Sequence, residues 1–218
     1  MVIKVLELFS GSGSVGKVCK EKGWEVLSLD LDGKADINID ILKWDYKKDY
    51  KPGDFDIIHA SPPCHTFSNL RRTWIGRKLK AHGDTIITRE ILDKDMEDKG
   101  VPLLRKAEEI IEYFKPKYYI IENPQGKMKN YMKKHKHYIV DYCMYSDWGY
   151  KKPTYFWTNI EGFKPKRCNR KCGNMEGTRH KKSIGGGTHN TPTTLQERYR
   201  IPPDLIKGLF DCCIIKDE

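Results

Sequence analysis

A cysteine in the setting of a nucleophile follows an apolar run at residues 55–60, in the turn 61–64 with the sequence Ser-Pro-Pro-Cys. Two consecutive prolines fix the backbone and remove two amide donors, so they hold the next side chain in one orientation. A cysteine attacks as its thiolate, which the basic residues Arg71 and Arg72 are expected to favour. We therefore predict that Cys64 is a nucleophile. The alternative is an inert cysteine after a structural turn.

A carboxyl group ends a second apolar run, in the dipeptide Glu122-Asn123 after Ile120 and Ile121. Carbon 6 of a cytosine ring accepts a nucleophile only when ring nitrogen 3 is protonated or strongly hydrogen-bonded. A carboxyl group held in an apolar sheet can provide that proton. Glu122 is therefore a candidate partner for a thiol nucleophile. The alternative is a carboxylate that caps a helix or pairs with a cation.

A glycine-rich turn follows the first apolar run of the chain. Gly11, Gly13 and Gly16 fit the pattern G-x-G-x-x-G, in which glycines let the chain approach a cofactor at a helix N-terminus. Asp30 ends the next apolar run, at about the distance expected of an acid that accepts hydrogen bonds from a ribose. Nicotinamide, flavin and S-adenosylmethionine enzymes share this pattern, and a structural turn also fits it.

Apolar runs and helical periodicities alternate along the chain and must position these residues. The strand-like runs are 2–8, 24–29, 55–60, 118–121, 138–144 and 155–158, and the helical patterns are 15–22, 103–114 and 204–213. This alternation predicts an α/β fold with a doubly wound, mostly parallel sheet. Because ligands gather at the carboxyl ends of parallel strands, we expect the three motifs to meet at one edge of the sheet.

The composition favours one domain and a polyanionic partner. The 218 residues suffice for a single core, so we predict one catalytic domain over 1–218. The net charge of +10 favours nucleic acid, although a lysine-rich surface alone gives the same charge. The seven cysteines, without a secretory leader, predict reduced thiols in a cytoplasmic or nucleoid-like compartment. We expect a monomer that does not contact a membrane.

The order and spacing of these motifs resemble those of the cytosine carbon-5 DNA methyltransferases, over most of the chain. The resemblance implies a Rossmann-like fold that binds S-adenosylmethionine. It departs from the family where Pro124 follows the Glu-Asn pair in place of the usual Val. The cofactor-binding residues it implies are Phe9, Ser10, Gly11, Gly13, Asp30, Asp40, Ile41 and Pro62, and the catalytic residues are Cys64, Glu122 and Asn123.

The resemblance also implies a mechanism. Cys64 adds to carbon 6 of cytosine while Glu122 donates to ring nitrogen 3, and the methyl group then goes to carbon 5. The ring atoms are unreachable inside a stacked duplex, so the base is flipped out or lies in a single strand. DNA is the expected partner, ahead of RNA. A restriction-modification role is a further expectation from the family.

Three segments are expected to contact the nucleic acid. The loop after Cys64 carries Phe67-Ser68 of the nucleophile motif and then a basic stretch. Where the family has Gln-x-Arg-x-Arg, this chain has lysine and threonine. The third segment, 159–200, is a basic insert of 42 residues in place of a larger target-recognition domain, and 201–218 is expected to be a helix that packs back on the catalytic domain. The predicted contacts are Ser68, Arg71, Arg72, Lys152, Thr154, Arg167, Arg170 and Arg179.

The insert also contains two cysteines and two histidines. Its segment 164–182 carries eight basic residues against the single acid Glu176, a local charge of +7. Cys168 and Cys172, with His180 and His189, supply four candidate zinc ligands, but the three-residue spacing is a poor signal. A metal site is therefore not predicted from the sequence.

Three other functions compete with this interpretation. A nicotinamide dehydrogenase explains the glycine turn and Asp30 but not the Pro-Pro-Cys and Glu-Asn motifs. An amino-group methyltransferase has a similar proline turn at this strand end, but its chemistry needs an aromatic residue where Cys64 stands. A binding protein that kept the cofactor fold and lost turnover is favoured by the missing arginine motif.

Overall fold

A seven-stranded sheet with the order β3-β2-β1-β4-β5-β7-β6 organises the chain. The computed structural model describes residues 2–31, 33–184 and 191–213. Strands β1 to β5 are parallel along the sheet, and β7 is antiparallel to both of its neighbours, β5 and β6. The strands are β1 Lys4–Leu8, β2 Glu25–Asp30, β3 Ile37–Asn38, β4 Ile57–Ala60, β5 Tyr118–Pro124, β6 His137–Asp141 and β7 Pro153–Thr158.

Six α-helices accompany the sheet in the described ranges. They are α1 Ser14–Glu21, α2 Tyr46–Asp49, α3 Arg89–Asp95, α4 Val101–Phe114, α5 Leu195–Tyr199 and α6 Pro203–Phe210. A π-helical turn, Met96–Gly100, joins α3 to α4, and short 3-10 turns occupy Ile41–Lys43, Asn69–Trp74, Lys80–His82, Lys127–Asn130 and Tyr142–Met144. The insert adds two small ladders, from β8 Met175–Glu176, β9 Arg179–His180, β10 Lys182–Ser183 and β11 Thr191–Pro192.

The two faces of the sheet are covered by different helices. On one face, α4 buries Leu104, Ala107 and Ile110 against the sheet. On the other face, α1 packs with α6, whose apolar residues join the core that contains Val15 and Val18. The central strands are almost continuously buried, as expected of strands covered on both sides. This arrangement confirms the predicted α/β, doubly wound, mostly parallel class.

The order of the strands creates a switch point between β1 and β4. The chain moves outward from β1 to β2 and β3, then returns to place β4 on the other side of β1. In open parallel sheets the crevice at such a point, at the carboxyl ends of the strands, is where ligands bind. The glycine turn follows β1 and the Pro-Pro-Cys turn follows β4, so both motifs lie at this crevice.

Several boundaries differ from the sequence-based predictions. The predicted strand 138–144 ends at Asp141, because residues Tyr142–Met144 form a 3-10 turn. The short strand β3 and the helix α3 were not predicted, since neither carries a strong apolar period. The predicted C-terminal helix ends at Phe210, and residues 214–218 lie outside the described ranges. Within the described ranges, no helix has both the length and the apolar character of a membrane span.

A buried carboxyl group joins β1 to the start of α1. Glu7 is 3% exposed and accepts hydrogen bonds from the backbone amides of Val15 (3.2 Å) and Gly16 (2.9 Å). A Cβ atom on Gly16 would lie 2.9 Å from a Glu7 oxygen, so the third glycine of the motif makes room for this carboxyl group. Burial is the main cause that raises the pKa of Glu7 to about 7.

We predict that Glu7→Gln changes the pH dependence of stability. The folded state holds the Glu7 proton more tightly than the unfolded state, so wild-type stability falls as pH rises from about 4.5 through about 7. Relative to Glu7→Gln, the wild-type free energy of unfolding should fall by up to about 3 kcal/mol over that range, as measured by urea denaturation. Glu25→Gln, at an exposed position, is the control. A difference between wild type and Glu7→Gln that is independent of pH would refute this prediction.

Candidate active site

The glycine turn after β1 adopts a left-handed backbone at three positions. The φ angles are +58° at Phe9, +49° at Gly11 and +63° at Gly13. Glycine adopts this conformation at little cost, whereas an aromatic residue does so rarely, and such strain is often found at functional sites. A Cβ atom added at Gly13 would meet no other atom within 4 Å. The turn therefore leaves open space at the N-terminus of α1.

The end of β2 is tied to this turn. The carboxylate of Asp30 accepts a hydrogen bond from the Gly11 amide at 2.8 Å, and the Ser10 amide donates to the Leu29 carbonyl at 3.1 Å. The open turn and the neighbouring carboxylate fit a nucleoside cofactor whose ribose offers hydroxyl donors. The predicted cofactor residues Phe9, Ser10, Gly11, Gly13 and Asp30 thus lie together.

The other predicted cofactor residues are placed less directly. Asp40 caps the 3-10 turn Ile41–Lys43 by accepting from the Leu42 amide at 3.0 Å. Ile41 is 3% exposed and belongs to the core. Pro62 is buried in the turn that holds Cys64. Contact of these three residues with a cofactor stays a prediction.

The turn that carries Cys64 is fixed from β5. The Asn123 side chain donates from Nδ2 to the Pro62 carbonyl at 2.8 Å. Further along the same turn, the Lys127 amide donates to the Phe67 carbonyl at 2.8 Å, and a Cβ atom on Gly126 would lie 2.5 Å from that carbonyl oxygen. Cys64 itself is half-buried and forms no disulfide. The thiol is therefore held at the edge of the sheet, at the strand end next to Glu122.

Glu122 lies in a buried cluster of polar groups. Its side chain is about 6% exposed and its Oε1 accepts a hydrogen bond from the Tyr142 hydroxyl at 2.8 Å. The Lys152 ammonium lies 3.7 Å from the same oxygen and 4.7 Å from the centre of the Tyr142 ring. Lys152 also donates to the Arg198 carbonyl at 2.9 Å. A carboxyl group, a phenol and a cation from three parts of the chain therefore meet beside Cys64.

The pKa of the Cys64 thiol reflects these neighbours. Burial raises it most, and the negative charge of Glu122 adds to the rise, whereas the cations Lys152 and Arg198 lower it. Lys152 and Arg198 are therefore cations that favour the thiolate, and sequence analysis did not identify them in this role. The expected effect of Arg71 and Arg72 on the thiol stays a prediction.

Arg71 is also wrong as a predicted DNA contact. It is 5% exposed and forms an ion pair with Asp95, to which His82 and Lys99 also bind, each at 2.8 Å. The side chain fixes the loop after Cys64 onto α3, so it does not face a phosphate. Arg72, by contrast, is exposed.

The remaining predicted DNA contacts fall into two groups. Thr154 is fully buried and donates to the Lys152 carbonyl at 3.1 Å, so its predicted contact with DNA is wrong. Lys152 faces Glu122 at 3.7 Å, and its predicted contact with DNA stays a prediction. Ser68 caps the turn Asn69–Trp74 by accepting from the Leu70 amide. Exposed arginines of the insert are Arg167, Arg170 and Arg179.

Sequence analysis missed two residues of the site, Tyr142 in the buried cluster and Arg198, whose charge lowers the pKa of Cys64. Tyr142 directly follows β6. Functional residues were predicted at the ends of the other strands β1, β4 and β5, so the position of Tyr142 after a strand could have identified it as a candidate. Arg198 lies in α5 of the irregular insert, and its sequence neighbourhood carries no such signal.

Comparison with known proteins identifies a family and a close relative of this chain. The family described as C-5 cytosine-specific DNA methylase matches residues 3–152. A protein of Frog virus 3 (isolate Goorha), named "Probable DNA (cytosine-5)-methyltransferase", is 48% identical over 222 residues, which cover 97% of this chain and 100% of that protein.

Two solved methyltransferase structures match about three quarters of this chain at lower sequence identity. One is described as a DNA modification methyltransferase encoded within an E. coli prophage (18% identity, TM-score 0.45), and it is matched over 75% of this chain. Another is a methyltransferase of Entamoeba histolytica (16% identity, TM-score 0.42), matched over 76%. This chain covers 51% and 55% of those two chains, about half their length. On the family match and the viral relative, the chain belongs to the C-5 cytosine-specific DNA methylase family.

Proposed function

We propose that this chain transfers a methyl group from S-adenosylmethionine to carbon 5 of cytosine in DNA through a covalent bond to Cys64. The observation that carries the proposal is the hydrogen bond from Asn123 to Pro62, which holds the Cys64 turn beside Glu122. The name of the Frog virus 3 relative supports the same substrate. The reaction of a nicotinamide dehydrogenase would not require the pair of Cys64 and Glu122.

S-adenosylmethionine supplies an electrophilic methyl group. The residues that would hold it are the turn residues Gly11 and Gly13 at the open N-terminus of α1, with the Asp30 carboxylate on the side of the ribose. Ser14 adds a link to the C-terminal segment, because its hydroxyl accepts from the Ile201 amide at 3.1 Å. The C-terminal segment therefore contacts the glycine turn at the start of α1.

Cys64 and Glu122 act on the ring from two sides. The Cys64 thiol gives its proton to the Glu122 carboxylate, and the thiolate forms a bond to carbon 6 as Glu122 passes that proton to ring nitrogen 3. The electron pair of the former 5,6 double bond makes carbon 5 nucleophilic. As the new bond to carbon 5 forms, the bond between the methyl group and the sulfonium sulfur breaks. A water molecule then takes the carbon 5 proton, the 5,6 double bond re-forms and Cys64 leaves as a thiolate. Nitrogen 3 returns its proton through Glu122 to Cys64. Lys152 lowers the pKa of Cys64 against burial, so it favours the attacking form.

The target base must leave the helix stack to reach this site. The thiol and the carboxyl group lie at the edge of the sheet, where a base inside a duplex would be held apart from them by its neighbours. The exposed arginines Arg72, Arg170 and Arg179 provide positive charge for the phosphates on either side, whereas Arg167 pairs with Asp141. The proposed substrate is therefore DNA in which the target cytosine is flipped out of the duplex or lies in a single strand.

Cys64→Ser should abolish methyl transfer and leave cofactor binding unchanged. An alcohol is a far weaker nucleophile than a thiolate, so transfer of labelled methyl to DNA should fall by about 10³-fold or more. Nucleoside mass spectrometry should find 5-methylcytosine with wild type, and calorimetry should give equal affinities for the cofactor.

Cys212→Ser is the matched control, because Cys212 is a half-buried cysteine at the end of α6 and bonds to the Gly208 carbonyl. Methyl on an exocyclic nitrogen would instead indicate an amino-group methyltransferase. No methylated base at all, despite cofactor binding, would indicate a binding protein.

Lys152→Met should make the Cys64 thiol less reactive. Without this cation, burial and the charge of Glu122 raise the pKa of the Cys64 thiol further, so less thiolate is present. Alkylation of Cys64 by iodoacetamide at pH 8 should therefore slow by about tenfold. The alkylated peptide is quantified by mass spectrometry. Lys133→Met, at an exposed position between the turn Lys127–Asn130 and β6, is the control. Equal alkylation rates for wild type and Lys152→Met would contradict the role assigned to Lys152.

A further inference from the structure

Four candidate metal ligands converge next to the active site, in the part of the chain that the structure describes. Cys143, Cys168, Cys172 and His180 each offer one ligand atom, and these atoms all lie within 4.8 Å of one another. The sequence analysis predicted no metal and weighed His189 as a fourth ligand. His189 lies outside the described residues, whereas Cys143, from the turn after β6, completes the group.

The distances match a tetrahedral zinc site. The two sulfur atoms of Cys168 and Cys172 are 3.6 Å apart, and Nε2 of His180 lies 3.5 Å from the first and 3.4 Å from the second. Zinc binds thiolate sulfur at about 2.3 Å and imidazole nitrogen at about 2.0 Å, so tetrahedral ligands lie about 3.5 to 3.8 Å apart. A disulfide would need a sulfur separation of about 2.05 Å.

The backbone around the ligands is arranged to hold them. The Arg170 amide donates to the Cys168 sulfur at 3.3 Å, from a left-handed residue with φ +67°. The β8–β9 hairpin brings His180 back opposite Met175, whose amide donates to the Cys172 carbonyl at 3.3 Å. The Cys168 amide is fixed by the carboxylate of Asp141 at 2.8 Å. Hydrogen bonds of this kind orient metal ligands and stabilise thiolate charge.

We propose that Cys143, Cys168, Cys172 and His180 bind one structural Zn²⁺ ion. All four positions are filled by protein side chains, which is the pattern of structural zinc sites, whereas catalytic sites keep an open position. Binding releases the protons of the three thiols, and His180 binds through Nε2. Three thiolates and Zn²⁺ leave a net charge of −1, and the carboxylate of Asp141 beside them adds another −1. Lys151 and Arg167, which lie 3.5 Å and 2.9 Å from Asp141, balance these two charges.

The zinc ion would fasten the insert to the catalytic domain. Cys143 belongs to the turn Tyr142–Met144, and Tyr142 donates to Glu122. The other three ligands belong to the insert, whose small ladders β8–β9 and β10–β11 bury little apolar surface. Segments too small to form a core commonly depend on a metal or a disulfide. The metal site therefore sets the position of the basic insert relative to the Glu122 cluster.

Metal analysis of the purified full-length chain tests the proposal. Wild type should contain about one zinc per chain by plasma mass spectrometry. Cys172→Ser should lose most of it, and Cys212→Ser, outside the group, should keep it. His180→Cys should retain zinc in a four-cysteine site, whereas His180→Ala should not. This pair of variants separates metal binding from misfolding, because both change the same residue.

Cobalt provides a second measurement. Chelator-treated wild type given Co²⁺ should show the visible and thiolate charge-transfer bands of a tetrahedral thiolate site, and zinc should displace them. A wild-type chain that takes up no stoichiometric zinc or cobalt would overturn the proposal. So would equal zinc content in wild type and Cys172→Ser, or a Cys168–Cys172 disulfide in the intact protein. None of these measurements depends on methyl transfer, so failure here is distinguishable from failure of the proposed activity.

Discussion

The side-chain amide of Asn123 donates to the carbonyl of Pro62, and this bond joins the ends of two parallel strands. The parallel strands β4 and β5 bring their carboxyl ends to one edge of the sheet. The backbone pairing alone does not connect the two turns that follow, so a side chain must link them. The two prolines restrict the backbone that leads into Cys64. Because the turn is fixed to Asn123, the Cys64 thiol is held beside Glu122, the residue before Asn123. The chemistry of the site depends on that constraint.

Burial sets the electrostatics of the site. Glu122 and Lys152 lie out of water beside the neutral Tyr142 hydroxyl, where the cost of holding a charge is high and the interactions between these groups are correspondingly strong. The same burial raises the pKa of Cys64, so the attacking thiolate depends on Lys152 and Arg198. Lys152 lies directly before β7, and Arg198 lies in the insert. The reactivity of the thiol therefore depends on segments that are distant from Cys64 in the sequence.

The sequence predicted the residues that follow apolar strands, because strand ends are visible as changes from apolar to polar character. Cys64, Glu122 and Asp30 were found in this way. It failed for groups whose neighbours come from irregular segments. Arg71 was assigned to DNA because its partner Asp95 lies in α3, a helix without a clear apolar period. Cys143 was missed as a metal ligand because it lies 25 residues before Cys168 in the chain, and only the tertiary fold brings the two together.

The most direct measurement is the trapping of the covalent bond. A DNA duplex with 5-fluorocytosine in mixed-sequence context, incubated with the full-length chain and S-adenosylmethionine, has no carbon 5 proton to lose, so Cys64 cannot leave. A stable protein–DNA adduct is expected, and peptide mass spectrometry should locate it on Cys64, with none formed by Cys64→Ser. An adduct on another cysteine, or 5-methylcytosine produced in normal DNA by the Cys64→Ser variant, would contradict the role of this thiol.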